Sequence, residues 1–288
     1  MRWQGGRESS NIEDRRSRGR GPGSGVMVGG IGTLAVAFAA IMMGANPQQV
    51  VNTLLKRGDG PVAAQQGGGA PTAADEELDK FIRVVLADTE DTWTELFRRM
   101  GKKYEPPILV LFDGHTESAC GNASAAMGPF YCPADQKLYL DVSFFRELKE
   151  KYSAPGDFAQ AYVIAHEVAH HVQHQLGVSD EVQQLRRKAN KVESNRLSVQ
   201  LELQADFLAG VWAYHANQTR QIIESGDVDE ALDAANAIGD DALQRRARGY
   251  VVPDSFTHGT SEQRKRWFRK GLETGDLEQG NTFIAKEL

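Results

Sequence analysis

The stretch "AYVIAHEVAHHVQHQL", residues 161 to 176, constrains this chain more than any other. Ile164, Val168, Val172 and Leu176 recur every four residues and mark one apolar stripe of a helix. His166 and His170 stand two positions along, about 200° round the helix, so they face away from that stripe. Such a helix needs a core on one side and polar partners on the other. His166 and His170 are themselves i and i+4, about 40° apart and one turn up, so both imidazoles can reach one ion. Glu167 lies beside such an ion rather than on it, where it can take a proton from water held there. The H-E-x-x-H pattern also arises by chance in helices, so the rest of the chain has to complete the site.

Two histidines leave a zinc ion one protein ligand short of a catalytic set. "ELQADFLAGVWA" (Glu202–Ala213) offers it on a second long helix. Glu202 and Asp206 share one face at i and i+4, while Leu201, Leu208, Val211 and Trp212 supply the buried side. Glu202 can be the third ligand, and Asp206 can accept a hydrogen bond from a liganding His and fix its tautomer. The competing reading is a pair of solvated acids. A metzincin site is excluded, because Gln173 and Leu176 stand where it needs Gly and His. His171 and His174 point elsewhere on the helix and are expected off the metal, as supporting, interface or surface residues. In "FTHGTSEQRKRWF" (Phe256–Phe268), Ser261 begins a helical pattern and His258 lies in the loop before it. A His near the metal can stabilise the oxyanion that forms when a carbonyl is attacked. Arg264 can bind a substrate carboxylate or backbone oxygen, or tie the acidic residues in place; ordinary surface roles compete for both.

Gly21–Leu55 contains no charged residue, and its centre, Val26–Gly44, is apolar and long enough to cross a bilayer as a helix. A cleaved signal peptide ending near Ala45 is the competing reading, but the apolar stretch exceeds a usual signal core and a polar segment precedes it. Residues 1–20 carry six arginines and a charge of +3, and the rest carries −9, which gives the net −6. By the positive-inside rule residues 1–25 are then a cytoplasmic basic segment and the remainder lies outside the cytoplasmic membrane, on the periplasmic or extracytoplasmic side. The acidic body argues against nucleic acid as a partner. Cys120 and Cys132 are the only cysteines. In an exported chain they read as a disulfide closing a local loop, and in a cytosolic one as free thiols.

Residues 45–75, rich in Gly, Ala, Pro and Gln, read as a flexible linker, and the domain proper as 76–288. A helix is expected from about Glu76 to Met100, and a short strand over Pro107–Asp113. A hairpin is expected within Gly128–Phe145 around Pro133-Ala134-Asp135. Helices follow over roughly 144–152, 157–176, 180–217, 228–248 and 261–273. The fold class is α+β, mostly helical, with a small sheet ahead of the site helices and one N-terminal transmembrane helix.

Five stretches in this order carry a resemblance: "MRWQGGRESSNIEDRR", the glycine-rich apolar segment, "GPFYCPADQKLYLD", "HEVAHHVQ" and "ELQADFLAGVWA". Over nearly its whole length the chain resembles the bacterial neutral zinc metallopeptidases of the YpfJ-like family. That family is similar to the gluzincins, notably the membrane-associated CAAX-prenyl-protease group. Those enzymes combine H-E-x-x-H with E-x-x-A-D and a later His followed six residues on by Arg. The resemblance implies a zincin-like catalytic domain with one Zn²⁺ on His166, His170 and Glu202, and Glu167 as the base. It also implies Asp206 behind the ligands, and His258 and Arg264 as the later pair. The chain departs from that group at Gly259, where proline is usual. The expected function is a membrane-anchored zinc metalloendopeptidase acting on protein or peptide substrates, with an extended substrate pairing to a strand in Pro107–Asp113 or Lys137–Asp141. A non-catalytic membrane-anchored protein with a structural or vestigial zinc site, and a secreted peptidase freed by signal cleavage, are the alternatives.

Overall fold

The computed structural model describes residues 1–16, 72–124 and 128–288. Strand β1 (Ile12–Asp14) is followed by α1 (Ala73–Arg99), β2 (Ile108–Phe112), β3 (His115–Ser118), β4 (Gly121–Ser124), β5 (Phe130–Cys132) and β6 (Lys137–Asp141). The remainder is helical: α2 (Ser143–Glu150), α3 (Asp157–Gln175), α4 (Val178–Lys188), α5 (Lys191–Arg220), α6 (Asp227–Ala237), α7 (Asp240–Arg248) and α8 (Ser261–Thr274). The described residues are thus mostly helical α+β with a small sheet, as expected. Two expected helices are each divided. Asn190 caps α5 by accepting from the Glu193 N–H, which ends α4 at Lys188. Gly239 turns the chain between α6 and α7, where a Cβ would meet Ser261 N at 2.5 Å.

The main sheet has the order β1-β2-β6-β5, with β1, β2 and β6 parallel and β5 antiparallel at its edge. The β5–β6 pair is the expected hairpin. The run "ILVLF" of β2 is apolar throughout because both of its faces are covered. Leu109 and Leu111, with Leu138 and Leu140 of β6, join the main helical core. Val110, Phe112 and Tyr139 instead pack with Ala123 and Cys132 on the opposite face. The β3–β4 hairpin covers that second face, and the Cys120–Cys132 disulfide ties it to β5. Neither β2 nor β6 has an open edge, so neither strand can take an added substrate strand; that expectation is corrected by the strand order.

The membrane expectations are corrected as well. Among the described residues no helix is long and apolar enough to cross a membrane. The two longest, α1 and α5, have apolar faces turned into the core and charged residues along the other side. Val26–Gly44 and the linker up to residue 71 lie outside the described residues. The inferred topology fails on a further observation. β1 is built into the same sheet as β2, with Ile12 opposite Leu109. The Met1 amino group donates to Asp157 at 2.6 Å and Asp227 at 3.3 Å, and Arg16 pairs with Asp79 at 2.6 Å. Ser9 and Asn11 both donate to the buried Glu90, at 2.5 and 2.8 Å. Residues 1–16 therefore belong with residues 72–288, whereas a single crossing between them would put them on opposite sides of a bilayer. A cytoplasmic N-terminus with an extracytoplasmic domain is withdrawn.

Helices α5 and α8 approach closely enough to exclude a side chain at their crossing. A Cβ on Gly210 would lie 2.1 Å from the Phe268 carbonyl oxygen, and one on Gly271 2.0 Å from that of Phe207. The obstacle is backbone on both sides, so no rotamer change relieves it. Gly210→Ala is expected to destabilise the protein by roughly 3 kcal/mol, the upper part of the range for overpacking. A urea midpoint unchanged from wild type would contradict this.

Candidate metal centre

Helix α3 carries His166, Glu167 and His170 through the middle of the helical core, packed among α1, α5 and α6. Its apolar stripe is buried, with Val168 and Val172 fully covered. The opposite face meets α5. There the Glu202 carboxylate spans both imidazoles, with Oε2 3.2 Å from His166 Nε2 and Oε1 3.6 Å from His170 Nε2. The donor atoms of His166, His170 and Glu202 lie within 4.8 Å of one another. The two rings stand at 89° with centroids 4.8 Å apart, so their Nε2 atoms converge from different directions.

Each imidazole is held from behind through its other nitrogen. His166 Nδ1 meets Asp206 Oδ1 at 2.9 Å, and His170 Nδ1 meets Gln173 Oε1 at 2.9 Å. Asp206 is fully buried and also accepts from the Tyr162 hydroxyl at 2.5 Å. Arg264, only 2% exposed, donates to both of its oxygens, at 2.8 and 2.9 Å. Of the two roles open to Arg264, tying the acids in place is the one this burial allows. Burial works to raise the Asp206 pKa, yet Arg264 and then His166 outweigh it and hold it at about 2. Burial likewise opposes charge on Glu202 and on both histidines. The proximity of His170 and His166 nonetheless keeps Glu202 well below the usual carboxylate range. Asp206 and Glu202 together push His166 up to about 9 against the effect of burial.

Two imidazoles whose Nε2 atoms face one carboxylate match the His₂Glu donor set of catalytic zinc sites, which leaves a further position for water or substrate. Backing of each ligand imidazole through Nδ1 is also what such sites require. The residues fit zinc. The Glu167 side chain is not one of the donor group but lies close enough for its charge to act on His170. Half-buried, its side chain makes no hydrogen bond or ion pair among the described residues, and it borders a small apolar pocket with Pro129, Tyr139, Val163 and Ile164.

His258 does not converge with the donor atoms. Its loop is wrapped around Asp240, whose Oδ2 accepts from the backbone N–H groups of Thr257, His258 and Gly259 at 2.7, 2.6 and 3.0 Å. Asp240 Oδ1 lies 3.3 Å from His258 Nδ1, and the imidazole is half exposed. Burial lowers the His258 pKa, but Asp240 and the charge of Glu202 raise it overall. Gly259 has φ +89°, which proline cannot adopt, and its N–H is one of those given to Asp240. The glycine is thus a local backbone solution for wrapping this loop around Asp240.

His171 and His174 belong to packing. His171 is 1% exposed, with Nε2 2.7 Å from the Glu105 carbonyl, and burial pushes its pKa down to about 4. The Tyr131 hydroxyl bridges His171 Nδ1 at 3.1 Å and His174 Nδ1 at 2.7 Å, pinning β5 to α3. Tyr162, Gln173 and Asp240 are the site residues that the sequence reading misses. Only Tyr162, one turn before His166, has a spacing that points to the site.

A family model described as "Putative neutral zinc metallopeptidase" matches residues 1–283. The chain belongs to this family. Among its relatives, the Escherichia coli (strain K12) protein YpfJ is 49% identical over 287 residues, covering 98% of this chain and 99% of the relative. The Mycobacterium tuberculosis (strain H37Rv) protein Rv2575 is 37% identical over 222 residues, 74% of each chain. No solved structure matches at a significant level. Membership of a zinc metallopeptidase family implies zinc, and the His/Glu group on α3 and α5 is a fitting place for it.

Proposed function

We propose that this metallopeptidase-family protein is a zinc-dependent endopeptidase in which His166, His170 and Glu202 hold one Zn²⁺ per chain. The observation that carries the reading is the convergence of those three side chains, each imidazole backed at Nδ1, with the unpaired Glu167 close enough for its charge to act on His170. Bound there, zinc supplies a Lewis acid that polarises a carbonyl and makes water more acidic.

The chain's own residues then supply the proton movements. The Glu167 carboxylate takes a proton from the attacking water and passes it to the leaving amine as the peptide C–N bond breaks. Asp206, anchored by Arg264 and Tyr162, keeps the His166 proton on Nδ1. His258, favoured in its charged form by Asp240, donates from Nε2 to the carbonyl oxygen as negative charge develops there. A structural zinc site has no use for an unpaired carboxylate next to the ligands, which favours the catalytic reading over a non-catalytic one.

The purified protein is expected to contain about one zinc per chain, as a three-ligand site implies. His166→Ala and Glu202→Ala are each expected to empty it. Full zinc by metal analysis in both variants would remove the ligand assignment.

A further inference from the structure

We propose that Gln173 is a positioning residue for the metal centre: it sets the tautomer of His170 and locks that ligand to the helix that carries Glu202. The inference rests on the zinc-site reading above. Gln173 lies three residues after His170 on α3 and is fully buried. Its Nε2 donates to the Leu201 carbonyl at 2.8 Å and to Gln204 Oε1 at 3.0 Å. A carbonyl oxygen can only accept, so the atom facing Leu201 is the amide nitrogen and the atom facing His170 is Oε1. Oε1 in turn can only accept, so the proton of a neutral His170 sits on Nδ1, 2.9 Å away. That leaves the lone pair on Nε2, the atom directed at Glu202.

The other end of the amide grips α5 at Leu201, the residue before Glu202. Gln204, the second acceptor, donates onward to the Gly280 carbonyl at 3.1 Å. One side chain therefore uses both of its amide hydrogens and its oxygen to fix a ligand on α3 against the backbone next to a ligand on α5. His166 and His170 are held by different chemistry: a carboxylate, itself bound by an arginine, behind the first, and a neutral amide behind the second. A neutral partner orients His170 without adding a further negative charge to a buried group that already holds Glu202 and Asp206. A buried glutamine that merely satisfied its own polar atoms between two helices would contribute to stability and leave the metal alone, and the two roles are separable.

The test is the zinc dissociation constant of the full chain, measured by chelator competition well below each variant's unfolding temperature. Gln173→Leu keeps the bulk but offers His170 no acceptor, and is expected to weaken zinc about 10- to 100-fold, the usual cost of losing a ligand's outer partner. Gln173→Glu keeps an acceptor for Nδ1 but turns an oxygen toward the Leu201 carbonyl. It is expected to bind zinc as tightly as wild type or more tightly while melting at lower temperature. A folded Gln173→Leu protein with wild-type zinc affinity overturns the proposal, as does Gln173→Glu losing tenfold or more. If Gln173→Leu does not fold, the Gln173→Glu affinity decides alone. Wild-type protein that takes up no zinc would instead bring down the metallopeptidase reading itself.

Discussion

Glu167→Gln protein is expected to keep its full complement of zinc and to lose proteolysis. The glutamine is nearly the same shape and sits outside the donor group, so the His166, His170 and Glu202 cluster is undisturbed. What disappears is the ability to accept a proton from water and return it to the leaving amine. General acid–base groups contribute about 10²- to 10⁴-fold to rate, and cleavage should fall by at least that much because one group does both transfers. The measurement is a comparison of newly formed peptide termini, by mass spectrometry, in a proteome-derived peptide mixture treated with wild-type or Glu167→Gln protein. Matching sets of termini formed at equal rates would exclude Glu167 as the base. Termini absent from both reactions, with zinc present in both, would favour the non-catalytic alternative.

The second large effect is expected to be structural in origin and to reach the candidate zinc site. Asp206→Leu leaves the Arg264 guanidinium buried without its anion, and removing one partner of a buried pair costs about 3–5 kcal/mol. Against a total stability of roughly 5–15 kcal/mol that is enough to unfold much of the population on moderate warming. Adding Arg264→Met should recover most of the loss, since a buried pair replaced by apolar side chains of similar volume is often neutral. Zinc affinity should not recover with it, because His166 still lacks an acceptor at Nδ1. Thermal melts and chelator competition on the single and double variants separate the two roles. A double variant with wild-type zinc affinity would show that Asp206 acts only through packing. The sign with pH follows from the depressed Asp206 pKa of about 2. In zinc-free protein, its contribution to stability is intact above the unfolded value near 4 and is lost as the pH falls toward 2.

Much of the site was legible because it obeys helical spacing. His166 with His170, and Glu202 with Asp206, are i and i+4 pairs, and each helix announces its buried side by apolar periodicity. Gln173 was not legible, because a glutamine three residues past a histidine is common on exposed helix faces; only the docking of α5 buries it. Asp240 was hidden for a related reason, being a helix-start aspartate whose partners are backbone N–H groups seventeen to nineteen residues on. The strand order was not readable either. Short apolar runs give a strand but not its neighbours, so β2 and β6 looked available when both were already flanked. The largest misreading came from the first sixteen residues. Their arginines fit a cytoplasmic flank by charge count alone. In the fold Arg7, Arg15 and Arg16 are spent on Glu90, Glu13 and Asp79 within the domain.

That first strand also has a bearing on how the molecule is made. β1 leaves the ribosome well before its partner: Leu109 in β2 follows Ile12 almost a hundred residues later, and the acids that receive Met1 later still. Such long-range pairing is slow to form and cannot occur during the early part of synthesis. Until then the edge of β2 lacks its neighbour and is open to strand exchange with another chain. The pairing of β1 with β2 is thus expected to form late on this sheet, and a refolding study should find it in the slowest phase.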